Sequence, residues 1–70
     1  MATINNEHNY TLSPAQQQAV FNAAANMGID EVFAGEQFED EDVDLLFYIP
    51  FFDADGEFLF NLNCDTGKVE

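Results

Sequence analysis

The sequence predicts a single α+β domain, one N-terminal helix packed on a small antiparallel sheet of two to three strands with a central hairpin. Three features carry this expectation. Ser13 to Met27 is a capped stretch rich in Ala and Gln. From Val43 the apolar residues recur with a period of two. Asp53-Ala54-Asp55-Gly56 then breaks that alternation with turn residues. A helix covering one face of a hairpin is a two-layer arrangement. At 70 residues, residues 1–70 form one domain, and a chain this short buries only about 60% of its unfolded surface. The 47% hydrophobic content, with eight Phe, is too apolar for the disordered class.

Residues 1–12 are polar and Asn-rich, with Ile4, Tyr10 and Leu12 as the anchors available to them, and read as either a loose arm or a short edge strand. The helix follows. Ser13 suits the N-cap, Pro14 the first helical position, and Gln16 completes a capping box. Val20, Ala23, Ala24 and Met27 share one face, with Phe21 beside them, and that face belongs to the core. Gly28 suits the left-handed position after the helix, with Ile29 as the apolar residue of a Schellman stop. Asp30 to Gly35 reads as one further turn or a loop, and Phe33 and Phe38 are expected to pin it onto the core.

In the first long strand Val43, Leu45, Phe47, Ile49 and Phe51 alternate with Asp44, Leu46, Tyr48 and Pro50. Phe58, Phe60, Leu62 and Cys64 form the matching face of the second, Glu57 to Cys64. Meeting of the two apolar faces requires Ile49 opposite Phe60 or Leu62, which a two-residue or a four-residue turn allows. Pro50 cannot donate to a ladder, so its strand should be an edge or bulged there. The opposite face, with Leu46, Tyr48 and Leu59, offers a second packing surface for the arm or a dimer contact. Asp65-Thr66-Gly67 is a second turn, leaving Lys68-Val69-Glu70 room for a stub of third strand.

The charge balance is extreme. Fourteen acids stand against one basic residue, Lys68, for a net charge of −13 and a pI near 4.1. Direct binding to nucleic acid needs Lys and Arg to displace counterions from phosphates, so it is excluded, as is attraction to an anionic membrane. The complementary partner is a basic protein surface, reached by steered, salt-sensitive association, with the protein acting as a monomer or weak dimer. The single cysteine, Cys64, cannot form an intrachain disulfide. With no basic and apolar leader and no run of about 20 apolar residues, a cytoplasmic location is expected.

Catalytic and metal-binding readings fare poorly. Aligning Gly56 with the sixth position of an EF-hand loop leaves Phe51 and Leu62 where the first and twelfth ligands belong, so Asp53 to Glu57 reads as a hairpin turn. His8 has no second His or thiol near it in sequence. Cys64 lies on an apolar strand face, Ser13 is used as a cap, and no Gly-rich phosphate loop is present. A non-enzymatic protein without cofactor or metal is expected.

What remains is the acidic run. Glu36, Glu39, Asp40, Glu41, Asp42 and Asp44 put six carboxylates in nine residues, and crowding of like charge works against folding. In an extended backbone Asp40, Asp42 and Asp44 would project to one side about 6.8 Å apart, close to twice the spacing of phosphates along one DNA strand. Asp30, Glu31, Asp53, Asp55 and Glu57 are candidates to extend the partner-binding patch. Solubility alone is met by a net charge of magnitude about 2–8.

In size, charge excess and the cluster Glu36 to Asp44, the chain resembles the small acidic phage proteins that mimic DNA to evade host defence, found among anti-CRISPR proteins and restriction inhibitors. The resemblance rests on no motif, so no functional position carries over. It implies a protein–protein interaction in the host cytoplasm, an inhibitor occupying the basic DNA-binding or PAM-reading surface of a nuclease or CRISPR-type surveillance complex. The alternatives are an acidic interaction module for another basic partner, or a domain whose acids serve only solubility.

Overall fold

The structure, a computed structural model, describes residues 3–70; Met1 and Ala2 of the predicted arm lie outside the described residues. It is an α+β domain, with a larger sheet than expected and with one strand ahead of the helix. The elements run β1 (Thr3–Asn5), α1 (Pro14–Asn26), β2 (Glu31–Ala34), β3 (Phe38–Glu39), β4 (Phe47–Phe52) and β5 (Phe58–Asn63). The five strands make one mixed sheet, β1 running parallel to β2 and every other pairing antiparallel. The expectation of a two- to three-stranded antiparallel sheet with an N-terminal helix is therefore corrected. Strands this short carry too little periodicity to declare themselves.

The helix forms as its sequence dictates. The Ser13 hydroxyl accepts from the Gln16 N–H at 3.1 Å and the Gln16 side chain accepts from the Ser13 N–H at 2.9 Å. At the far end Ile29 N–H reaches Ala24 O at 2.9 Å and Gly28 N–H reaches Ala25 O at 3.1 Å, a complete Schellman stop. Gly28 takes φ +71, which a side chain would oppose. Val20 and Ala24 are buried against the sheet. Met27 is instead 50% exposed, because as the C-cap it is already leaving the helix.

Beyond Ile29 the chain enters β2 rather than a further turn, with Val32 and Ala34 buried toward the helix. On the side of β1, Asn6 clamps Tyr10 through both its backbone groups, at 2.7 and 2.9 Å, so the predicted arm is an edge strand followed by an ordered loop. The Tyr10 hydroxyl donates to Gly35 O at 2.8 Å and accepts from Gln37 N–H at 2.7 Å. It thereby satisfies backbone groups where the chain breaks off between β2 and β3.

β4 is the central strand. β2 pairs with its C-terminal half and β3 with its N-terminal half along one edge, and β5 lies along the other. The edge assignment for Pro50 is thus overturned. Its missing N–H is harmless because the neighbouring strand is interrupted there, and Pro50 O still accepts from Gly35 N–H at 2.7 Å. A side chain at Gly35 would be too close to this strand, since a Cβ would lie 2.5 Å from the Phe52 ring.

Ile49 stands opposite Leu62, and Phe51 opposite Phe60 with ring centroids 5.5 Å apart. With Val20, Ala24, Val32 and Ala34 these four make the buried core. The turn at Asp53 departs from both expected lengths. Asp53 N–H bonds Glu57 O at 2.9 Å and Gly56 N–H bonds Asp53 O at 3.0 Å, a three-residue loop. That length shifts the register by one residue, and an irregularity between Phe51 and Phe52 restores it. Phe58 is consequently paired with Phe52 on the face away from the helix and is 56% exposed, not a member of the core. Past β5, Val69 bridges to Leu62 as the expected stub.

Candidate partner-binding surface

The acidic run is the connection from β3 to β4. It is not extended. Asp40 N–H bonds Leu46 O at 2.7 Å, closing the loop. Asp40 Oδ1 accepts from the N–H groups of Asp42 at 2.7 Å and Val43 at 3.0 Å, and Glu39 Oε2 accepts from Leu45 N–H at 2.7 Å. Short polar side chains that bond nearby N–H groups compete with strand pairing. For that reason β4 starts at Phe47 rather than Val43, and the expected ladder of Asp40, Asp42 and Asp44 along one strand face does not form. The Asp42 N–H, opposed by desolvation and joined by the Val43 N–H and the Tyr48 hydroxyl, holds the Asp40 carboxyl below its ordinary value.

Glu39 and Asp40 are therefore structural as well as anionic. Glu36, Glu41, Asp42 and Asp44 are left as the exposed carboxylates of this group. Val43 and Leu45, expected in the core, are 51% and 81% exposed beside them. Leu45 also takes φ +64. A branched side chain in that region is strained, whereas Asn tolerates it. Leu45→Asn should raise the stability measured by urea unfolding by about 0.5–1 kcal/mol, and Leu45→Val should lower it. Equal midpoints for the two variants would show that the loop stores no strain.

The second predicted group lies at the other end of β4. Asp53 caps its own turn, Oδ1 accepting from the N–H groups of Asp55 and Glu57 at 2.9 Å each. Its predicted role as a hairpin residue holds. Asp30 and Glu31 open β2, which runs beside Phe52, so they approach this same end, and Glu31 Oε2 takes a 2.9 Å bond from Asn5 Nδ2. The predicted carboxylates thus form two groups at opposite ends of a six-residue strand, about 17 Å apart from strand rise. Glu36 sits at the break between β2 and β3. α1, from Pro14 to Asn26, carries no charged residue, so the helix layer is neutral and the anionic groups belong to the sheet and its loops.

The face of the sheet away from the helix carries Tyr48 as expected, but Leu59 packs against the helix-side core instead and four Phe stand on this face. Cross-strand pairing puts Phe33, Phe52 and Phe58 in one row and Phe38 with Tyr48 in another. Phe38 is 43% exposed and its ring lies 5.5 Å from that of Tyr48. Phe33 and Phe38 therefore do not pin the chain onto the helix-side core. Glu70 and Asp40 reach the same face. Burial first, then the fields of Glu70 and Asp40, raise the Tyr48 hydroxyl above its ordinary value.

Other chemistry finds little support. Burial pushes the Cys64 thiol up, away from the thiolate a nucleophile needs, with only a 3.8 Å contact from Gln37 Nε2 opposing it. His8 is exposed and stacked on Tyr10. Among the described residues no three or more His, Cys, Asp or Glu side chains are grouped to hold a metal. An open cavity of about 390 Å³ lies between Ile4, Tyr10, Leu12 and Phe21, and its Asn6 and Gln17 side chains are already bonded to backbone. No described helix is long and apolar enough to cross a membrane. No protein-family profile, curated protein or solved structure matches this chain.

Proposed function

We propose that this protein is a non-enzymatic inhibitor that mimics DNA and blocks the basic nucleic-acid-binding surface of a nuclease or CRISPR-type surveillance complex. One observation carries the reading, the uneven placement of a net charge of −13. The helix layer is uncharged, while carboxylates crowd both ends of the central strand. Acids serving hydration alone have no reason to avoid one layer. Over the roughly 17 Å between the two groups, one strand of duplex DNA presents about five phosphates. A Lys- and Arg-lined channel that accepts such a strand is the electrostatic complement of this surface, and occupation by one ligand excludes the other.

The test uses Glu41→Lys with Asp42→Lys, two exposed positions, and spares Asp40, whose side chain closes the loop. Immobilised protein is used to recover its partner from a bacterial lysate, and a 20-base-pair duplex is added as competitor. DNA should displace the partner, added salt should weaken capture steeply, and the double variant should capture at least tenfold less while keeping its circular dichroism. A recovered partner that binds no nucleic acid, or that duplex DNA fails to displace, would make the protein an acidic interaction module of another kind.

A further inference from the structure

We infer that the sheet face turned away from the helix is a docking surface for arginine side chains of a basic protein partner. The inference rests on the proposed function for the partner's charge and adds where and how that partner is held.

The face is aromatic, and two of its rings are open to solvent. Phe38 and Phe58 are 43% and 56% exposed, at opposite corners. Each leans on a less exposed neighbour, Phe38 on Tyr48 at 5.5 Å and Phe58 edge-on to Phe52 at 6.1 Å. Exposed aromatic clusters of this kind mark contact surfaces. Carboxylates stand beside the Phe38–Tyr48 corner. Asp40, two residues beyond Phe38, acts on the Tyr48 hydroxyl, and Glu70 does so from the β5 side, its Oε2 accepting from Asn63 Nδ2 at 2.8 Å. The one basic side chain, Lys68, belongs to the C-terminal stub, its carbonyl held by Asn63 N–H at 2.8 Å.

A second copy of this chain is a poor occupant, because two molecules of net charge −13 repel at every approach. A flat cation fits better. A guanidinium group stacks on an aromatic ring while its edge bonds a carboxylate, and it does so better than an ammonium group, which is more strongly hydrated. The Phe38–Tyr48 rings, with Asp40 and Glu70 beside them, supply both halves of that contact. Carboxylates alone already favour the guanidinium fork over an ammonium group, so the part of the preference that depends on the rings is what marks this face.

The preference is the test, with fluorescein-labelled nona-arginine and nona-lysine as probes in anisotropy titrations. The folded protein should bind nona-arginine more tightly. Phe38→Ala with Phe58→Ala should weaken nona-arginine at least fivefold, leave nona-lysine within twofold and so reduce the preference. Backbone and ring resonances of Phe38, Tyr48, Phe52 and Phe58 should shift when nona-arginine is added to the unaltered protein, a readout that stands even if the double variant folds poorly. Shifts confined to Asp40–Leu46 overturn the inference. Loss of both peptides in Glu41→Lys with Asp42→Lys, with the aromatic variant unchanged, overturns it too while leaving the proposed function standing. Should ultracentrifugation show a dimer that the aromatic variant abolishes, the face belongs to a second copy and the inference fails.

Discussion

Phe51→Ala should strip the domain of a third or more of its folding stability. Phe51 is fully buried at the middle of the core, on the central strand and against Phe60. Truncating a buried Phe removes its transfer free energy and leaves a cavity, together about 3–5 kcal/mol. A domain of 70 residues has a total stability on the order of 4–10 kcal/mol, so the loss runs from about a third of it to all. Urea titration followed by far-ultraviolet circular dichroism should show the midpoint falling by about a third or more, or no folded baseline. Phe58→Ala, at a 56% exposed position, should stay within about 1 kcal/mol of the unaltered protein. The contrast is informative because both residues lie on the same alternation when the chain is read as text. A cooperative transition of Phe51→Ala near the original midpoint would mean that the core is not where the structure has it.

The second large effect is expected at Asn63, a buried polar residue of the structure at 5% exposure. Its Oδ1 accepts from Asp65 N–H at 2.8 Å and Thr66 N–H at 3.0 Å, and its Nδ2 donates to Glu70 at 2.8 Å. One side chain therefore closes the last turn and ties down the C-terminal stub. Each bond is worth about 1 kcal/mol net, and leaving polar groups without partners adds to the loss. Asn63→Leu should cost about 2–3 kcal/mol. Asn63→Asp separates the two jobs, because it keeps the acceptor for the turn but sets a carboxylate against Glu70. Two carboxylates so close bind a proton more tightly in the folded state than in the unfolded one. Their contribution is present at low pH and lost as pH rises, so Asn63→Asp should be nearest to the unaltered protein in mild acid and weakest at neutral pH. A pH-independent deficit for Asn63→Asp, measured by urea midpoints between pH 4 and 7, would show that Glu70 is not its neighbour.

How legible each feature was depended on the range of the interactions behind it. The helix and both its ends could be read directly, because Ser13, Gln16 and Gly28 act on backbone groups a few residues away. The pairing of Ile49 with Leu62 was equally readable, since only that register family lets two alternating faces meet. The extra strands were not. β1, β2 and β3 have two to four residues each, and Glu31-Val32-Phe33-Ala34 becomes a strand only because β1 and β4 are there to pair with it. Phe58 was misplaced because a three-residue turn and an irregularity beside Phe52 cannot be counted from alternation. Among the candidate site residues, exposure of Glu36, Glu41, Asp42 and Asp44 was foreseeable from charge alone. That Asp40 and Asp53 would turn back to cap their own loops was not, since an aspartate facing solvent and one bonding its own backbone look alike in a string of letters.

By itself, then, the order of amino acids determined the α+β class, the capped helix, the core pairing of the last two strands and an anionic surface with hardly any cation to offset it. Only the tertiary structure decided that β4 lies inside the sheet, that the carboxylates gather at its two ends, and that a row of aromatic rings faces away from the helix. Local bonding and periodicity are properties of neighbours along the chain. Which strand borders which, and which side of a sheet a ring ends on, depends on contacts between distant residues, where a shift of a single residue reverses the answer.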